Sequence, residues 1–166
     1  AVKYLIGLGH RKIATIHGAL NIQSGNERLE GYKQALSDAG IPVQHELIMD
    51  GNFYRKTAYE KMSQLLGSDK APTAVFVASD EMALGAIKAI KDKGLDVPGD
   101  ISLIGFDDNP MCSELSPKLT TVRQPITEMG RFAAEAVIKL IDKEEKPGFK
   151  RTLPTELIVR DSCRKI

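Results

Sequence analysis

The run Thr73-Ala74-Val75-Phe76-Val77-Ala78 is apolar nearly from end to end, and Ala83, Ala86, Ile87 and Ile90 follow it at helical spacing until Gly94. A short, continuous apolar run suits a strand covered on both faces, and such strands belong to parallel sheets connected through helices. The same unit recurs on either side. Upstream, Ile13-Ala14-Thr15-Ile16 reads as a strand, with Leu29, Tyr32, Leu36 and Ala39 on the face of the next helix and Gly40 and Pro42 as its stop. Ser24, with Glu27 three residues on, reads as that helix's capping box. Glu46-Leu47-Ile48-Met49 is a second strand, and Ala58, Met62, Leu65 and Leu66 line a helix that closes near Gly67. Downstream, Ile101-Ser102-Leu103-Ile104-Gly105-Phe106 and Leu119-Thr120-Thr121-Val122 are strands. The cleanest helical stripe follows: Met129, Phe132, Ala133, Ala136, Val137, Leu140 and Ile141. Leu157-Ile158-Val159 closes the pattern. Strand and helix alternate, so the expected fold is α/β, an open and mostly parallel sheet flanked by helices in three α/β/α layers.

Composition narrows the function classes. The 166 residues are one domain's worth of chain, 42% hydrophobic and 27% charged, enough to bury a core. With 23 basic and 22 acidic residues the net charge is +1, which argues against a nucleic-acid surface on this chain. No window approaches the roughly 20 apolar residues of a membrane span, and the opening Ala1–Gly7 carries no signal-peptide pattern. Cys112 and Cys163 match neither a disulfide framework nor zinc spacing, so a cytoplasmic setting is expected. Val2 to Leu8 reads as a helix that opens without cap, preceding strand or initiating Met, as expected of a piece of a longer protein. Lys143-Glu144-Glu145-Lys146-Pro147-Gly148 reads as a solvated turn.

Ligands of open parallel sheets bind beyond the carboxyl ends of the strands. Here those ends carry His17-Gly18-Ala19 with Ser24 and Arg28 beyond, Asp50-Gly51-Asn52-Phe53, Ser79-Asp80, Asp107-Asp108-Asn109 and Arg123-Gln124-Pro125. Hydroxyl, guanidinium, carboxylate, amide and one aromatic ring converge on a single edge, a set suited to a polyhydroxylated or heteroaromatic ligand. Each residue also has a plainer reading. Ser24 caps its helix, Arg28 pairs with Glu27 or Glu30, Phe53 is core, Asp80 suits the first turn of its helix, and Asp107 and Asp108 form a turn. His10 and His45 read as loop residues.

Catalytic signatures are missing from the sequence. No G-x-G-x-x-G follows a strand, and there is neither a G-x-x-x-x-G-K-[ST] phosphate loop nor a G-x-S-x-G elbow. No cofactor or metal is implied. An acidic Mg²⁺ site at Asp80 and Asp107 is the enzymatic alternative, weakened because no Asp follows the first strand at Ile16-His17-Gly18-Ala19.

Several motifs, in order and spacing across nearly the whole chain, resemble the sensor domain of LacI/GalR (lactose/galactose repressor) transcriptional regulators. They are Tyr4-Leu5-Ile6-Gly7-Leu8-Gly9-His10-Arg11-Lys12-Ile13-Ala14, Glu27-Arg28-Leu29-Glu30-Gly31-Tyr32, Pro72–Phe76 and Ser79-Asp80-Glu81-Met82-Ala83-Leu84-Gly85. Val97–Asp108 and Leu119–Pro125 complete the set. The resemblance implies a two-lobed, periplasmic-binding-protein-like type I fold with the effector between the lobes. Residues 1–126 would be the C-terminal lobe, 127–150 a helix and turn packing on the missing N-terminal lobe, and 151–166 a return strand and tail. The ligand contacts it implies are Ser24, Arg28, Phe53, Ser79, Asp107 and Gln124; relatives often carry Asn at position 79, where Ser has the shorter reach. It places a homodimer surface near Tyr54, Ala83, Leu84, Lys88, Met111 and Leu115, with Leu84 and Met111 as an exposed apolar patch. Operator DNA would be read by a missing N-terminal helix-turn-helix, not by this chain. A periplasmic solute-binding protein serving a sugar transporter is the alternative with the same fold.

Overall fold

A computed structural model describes residues 1–69, 71–142 and 150–166; the 143–148 turn read from the sequence lies outside them. Helices α1 (Val2–Gly7), α2 (Gln23–Asp38), α3 (Arg55–Leu66), α4 (Asp80–Asp92) and α5 (Ile126–Ile141) alternate with six strands. These are β1 (Ile13–His17), β2 (Ile48–Asp50), β3 (Ala74–Val77), β4 (Ser102–Asp107), β5 (Thr120–Arg123) and β6 (Glu156–Ile158). They form one sheet in the order β2-β1-β3-β4-β5-β6, parallel from β2 through β5, with β6 antiparallel at the edge.

The central strand shows how the sequence builds the layers. Every residue of β3 is buried. Val75 and Val77 enter the core shared with α3 and α4, while Ala74 and Phe76 enter the one shared with α1 and α2. Leu103 and Ile104 of β4 divide in the same way and are fully buried; each such side chain contributes about 1.5–3 kcal/mol by leaving water.

Two local expectations change. The strand expected over Glu46–Met49 is β2 at Ile48–Asp50, because His45–Leu47 forms a single 3-10 turn that sends Leu47 into the core. The capping box at Ser24 does not form. α2 starts after Ile22, and Gly25 presses so close to the Ala19 carbonyl that a Cβ there would lie 2.1 Å from its oxygen. That contact seats the helix start ahead of Ser24, whose hydroxyl is left free of capping.

His10, read as a loop residue, lies in the connection between α1 and β1, where it is only 1% exposed. Its Nδ1 lies 2.9 Å from Thr73 Oγ1, and its Nε2 lies 3.1 Å from both Ser102 Oγ and the Arg164 carbonyl. A carbonyl only accepts, which places the hydrogen on Nε2 and makes Nδ1 the acceptor for Thr73. Burial draws His10 below the ordinary imidazole value, against the pull of the Arg164 carbonyl. Beside it, the Ser162 hydroxyl donates to the Leu103 carbonyl at 2.6 Å and accepts from Thr120 N–H at 2.8 Å. The C-terminal tail is thereby sewn to the edge where the strands begin.

α5 is the exception to this packing. None of its residues is buried, and Ile126, Val137, Ile138 and Ile141 are each more than half exposed. Phe132 lies between two guanidinium groups, with Arg131 4.2 Å and Arg151 3.5 Å from its ring centre. No described helix is long and apolar enough to cross a membrane.

Candidate functional site

Because β1 to β5 are parallel, their carboxyl ends share one rim, and the helices that follow deliver side chains over it. Arg28 comes from the first turns of α2. Its Nη1 donates to the Ala78 carbonyl just past β3 at 2.5 Å, and its guanidinium carbon lies over Phe106, 3.7 Å from the ring centre. The Phe53 ring centre is 5.8 Å from the same guanidinium. Asp107, the last residue of β4, places Oδ1 3.7 Å from Arg28 Nη2 and 2.7 Å from Gln124 Nε2, which donates to it. At 3.7 Å the ion pair is too long to be a hydrogen bond. Arg28 therefore keeps donors, and Asp107 keeps Oδ2, without a partner among the described residues.

The electrostatics match that incomplete pairing. Burial lowers the Arg28 value against the pull of Asp107 and Asp80. Burial raises Asp107 above the usual carboxylate range in spite of Arg28 and Gln124, and the Asp80 charge adds to the rise. Both charges are held at a cost that hydrogen bonds from a bound polar molecule would offset.

The backbone is strained at the same place. Among the described non-glycine residues, positive φ occurs at Asn52 (49°), Phe53 (61°), Asp107 (119°) and Asp108 (59°), all just past β2 or at the end of β4. Such conformations cost about 1–3 kcal/mol each and persist where the surroundings hold them. Between α2, the sheet and the segment before β6 runs a groove of about 620 Å³, lined by Ser24, Arg28, Phe76, Phe106, Val122 and Gln124. Lys3 and Asp38, paired at 2.8 Å, also line it at the far end of α2.

Of the six expected ligand residues, Ser24, Arg28 and Gln124 line this groove, and Asp107 joins them through its contacts with Arg28 and Gln124. Phe53 adjoins them from above Gly18, against which its ring is packed. Ser79 is different: it is 6% exposed, and its hydroxyl caps α4 by accepting from Met82 N–H at 3.2 Å. The adjacent aspartates split in role. Asp108 is a structural anion, bonded at 2.6 Å to both Arg123 and Arg160, whereas Asp107 faces the rim. His17 is buried and donates from Nδ1 to the Gly18 carbonyl at 2.8 Å. Sequence reasoning missed Phe106, whose ring carries the Arg28 guanidinium; its apolar run signals only a buried strand.

The expected dimer surface is uneven. Tyr54 is 64% and Met111 36% exposed, and Lys88 projects to pair with Asp92 at 2.6 Å. Leu84, expected to be exposed beside Met111, is half-buried, and Leu115 is half-buried against the core. Ala83 is fully buried in the layer shared by α3 and α4, which corrects its assignment to a surface. Among the described residues no group of His, Cys, Asp or Glu is arranged to hold a metal ion, and both oxygens of Asp80 already accept protein hydrogen bonds.

Comparison with known proteins agrees with this geometry. Residues 2–163 match the periplasmic binding protein-like domain. The chain is 40% identical over 166 residues to the probable HTH-type transcriptional repressor ExuR of Bacillus subtilis (strain 168), covering 100% of this chain and 50% of that one. It superposes on the transcriptional regulator CelR in its cellobiose complex with a TM-score of 0.92 at 38% identity, covering 98% of this chain and 50% of that chain. The lac repressor dimer bound to operator and the anti-inducer ONPF gives a TM-score of 0.89 at 32% identity, covering 98% and 56%. The chain thus spans about half the length of the curated relatives it matches. Doubly wound sheet and family match converge: this chain belongs to the periplasmic binding protein-like domain family, and it is similar, over about half their length, to transcriptional regulators such as ExuR, CelR and the lac repressor.

Proposed function

We propose that this chain is the effector-sensing part of a LacI-type regulator, which binds a small polar molecule at the rim and thereby controls DNA binding by an N-terminal helix-turn-helix outside the chain. The observation that carries the reading is the pairing of Arg28 with Asp107 across 3.7 Å, over an aromatic ring and with hydrogen-bonding capacity unused. A ligand with adjacent hydroxyls or ring heteroatoms satisfies both groups at once, and one lacking them leaves a buried charge unpaired, which is the physical basis of selectivity. A sugar is the first class to try, since the similar CelR structure holds cellobiose; a nucleobase-like ring stacking on Phe53 is the second.

α5 belongs with a second lobe that closes the site. Its exposed Ile126, Met129, Val137 and Ile138 support this, because leaving them in water forfeits burial energy. The effector then acts by population shift: its contacts differ between lobe arrangements, and that difference sets where the DNA-reading parts stand. Two copies pair through the face bearing Tyr54, Lys88 and Met111, and the regulator works in the cytoplasm.

Calorimetric titration of the intact regulator and of this chain with cellobiose, ribose and a nucleobase panel tests the reading. The intact protein is expected to bind one member of the panel, with Arg28→Ala weakening it roughly 10- to 100-fold. This chain alone, with half a site, is expected to show no saturable binding. Unchanged affinity in Arg28→Ala, or micromolar binding by the chain alone, overturns it.

A further inference from the structure

We infer that Asp80 is the positioning residue of the rim: from inside α4 it holds the turn after β4 so that the Asp107 carboxylate faces Arg28 and not solvent. The inference rests on the reading of Arg28 and Asp107 as effector contacts. It begins from the strain at the turn. Asp107 and Asp108 occupy positive φ in succession although neither is glycine, so other groups must hold them there.

From outside, Arg123 and Arg160 clamp Asp108. From inside, two groups reach the turn: the Thr121 hydroxyl, which accepts Asp108 N–H at 3.4 Å, and Asp80, which holds Thr121 as well. Asp80 Oδ2 accepts Asn109 N–H at 2.8 Å, and its Oδ1 accepts the Thr121 hydroxyl at 2.6 Å. One carboxylate therefore joins the N-terminus of α4, the turn after β4 and the middle of β5. β4 makes room for it: a Cβ on Gly105 would lie 2.3 Å from Oδ1.

Asp80 is 0% exposed and forms no ion pair among the described residues. A buried carboxylate without a counter-cation is costly, and the first-turn dipole of α4 offsets only part of that cost. An apolar residue would fill the same space without the charge. What the carboxylate supplies is two directed acceptors for a turn that the backbone resists making. It also adds a smaller contribution to the field of the site, since its charge acts on both Arg28 and Asp107.

Nuclear magnetic resonance on this chain tests the assignment without any effector, through amide exchange at Asn109 and carboxyl titration of Asp107. In Asp80→Ala, Asn109 is expected to exchange about tenfold faster as its acceptor is lost, and the Asp107 midpoint to fall as enclosure and the Asp80 repulsion go. Asp80→Asn separates the two effects. Its amide oxygen still accepts from Asn109 and its amide donates to Thr121, so protection is retained while the Asp107 midpoint still falls. Should Asp80→Ala not fold, Thr121→Val carries the test: it removes the hydroxyl that orients the carboxylate and that also accepts Asp108 N–H, so the amide read is Asn109, whose acceptor is Asp80 itself, and it is expected to exchange at least about threefold faster. Wild-type exchange at Asn109 in Asp80→Ala, or in Thr121→Val if that is the variant measured, overturns the positioning role. The failure of the sensor reading would leave all of these measurements unchanged, so the two are distinguishable.

Discussion

At the edge where the strands begin, His10, Ser102 and Ser162 are buried and take their partners from one another and from the tail. At the edge where they end, Arg28 and Asp107 stand 3.7 Å apart with donors and an acceptor unused, and Asp107 is one of four residues there in strained backbone. The same sheet thus closes its polar groups at one end and leaves them open at the other. The closed end is where stability is expected to reside; the open end gives some of it up so that a second molecule can complete the bonding.

The contrast is broken most severely at the closed end. His10→Ala leaves Thr73, Ser102 and the Arg164 carbonyl without their shared partner. It is expected to cost about 2–4 kcal/mol, a fall in Tm of roughly 5–15 °C in thermal unfolding. The pH response follows from the lowered imidazole value. The unfolded chain takes up the proton more readily than the native one, so the His10 contribution is complete above about pH 6.5 and declines as pH falls toward the native value. That acid slope is expected to be absent from His10→Ala; an unaltered slope would assign it to other groups.

A middle-sized effect is expected beneath Phe53. A Cβ on Gly18 would lie 2.0 Å from Phe53 Cζ, so Gly18→Ala must push the ring off the rim, at about 1–3 kcal/mol in denaturant unfolding. The smallest effect has the opposite sign. Asp107→Asn removes a carboxylate whose value is raised, a group that lowers stability as pH climbs through its titration, and Asn tolerates positive φ more readily than most residues. The variant is expected to be more stable than wild type at neutral pH by up to about 1 kcal/mol, while the intact regulator loses its effector. A destabilised Asp107→Asn would place Asp107 with the closed end and remove the contrast.

How much of this was legible in the sequence follows the same division. The layers were readable because β3 and β4 are apolar on both faces and the helices carry apolar stripes, signals contained in short windows. Arg28 and Asp107 were readable as neighbours because parallel strands bring their carboxyl ends to one edge. What escaped depends on distant partners. His10 looks like a turn residue until Arg164, 154 positions away, arrives beside it. Phe106 looks like core until Arg28 lies across it, whereas Ala83 keeps the place in the apolar stripe of its helix that the spacing gave it, and not the surface place that the family resemblance implied. Ser24 fits a capping box in pattern, yet the approach of Gly25 to Ala19 seats the helix elsewhere.

α5 starts directly after Pro125, one residue beyond the Gln124 that donates to Asp107. With an exposed apolar side and little of its surface against the sheet, it is a lever arm more than a wall: a torque applied at Ile141 is carried along some 24 Å of helix, at about 1.5 Å per residue over its 16 residues. The displacement arrives at the Gln124–Asp107 bond. Whatever grips that arm has a mechanical hold on the carboxylate that the rim presents.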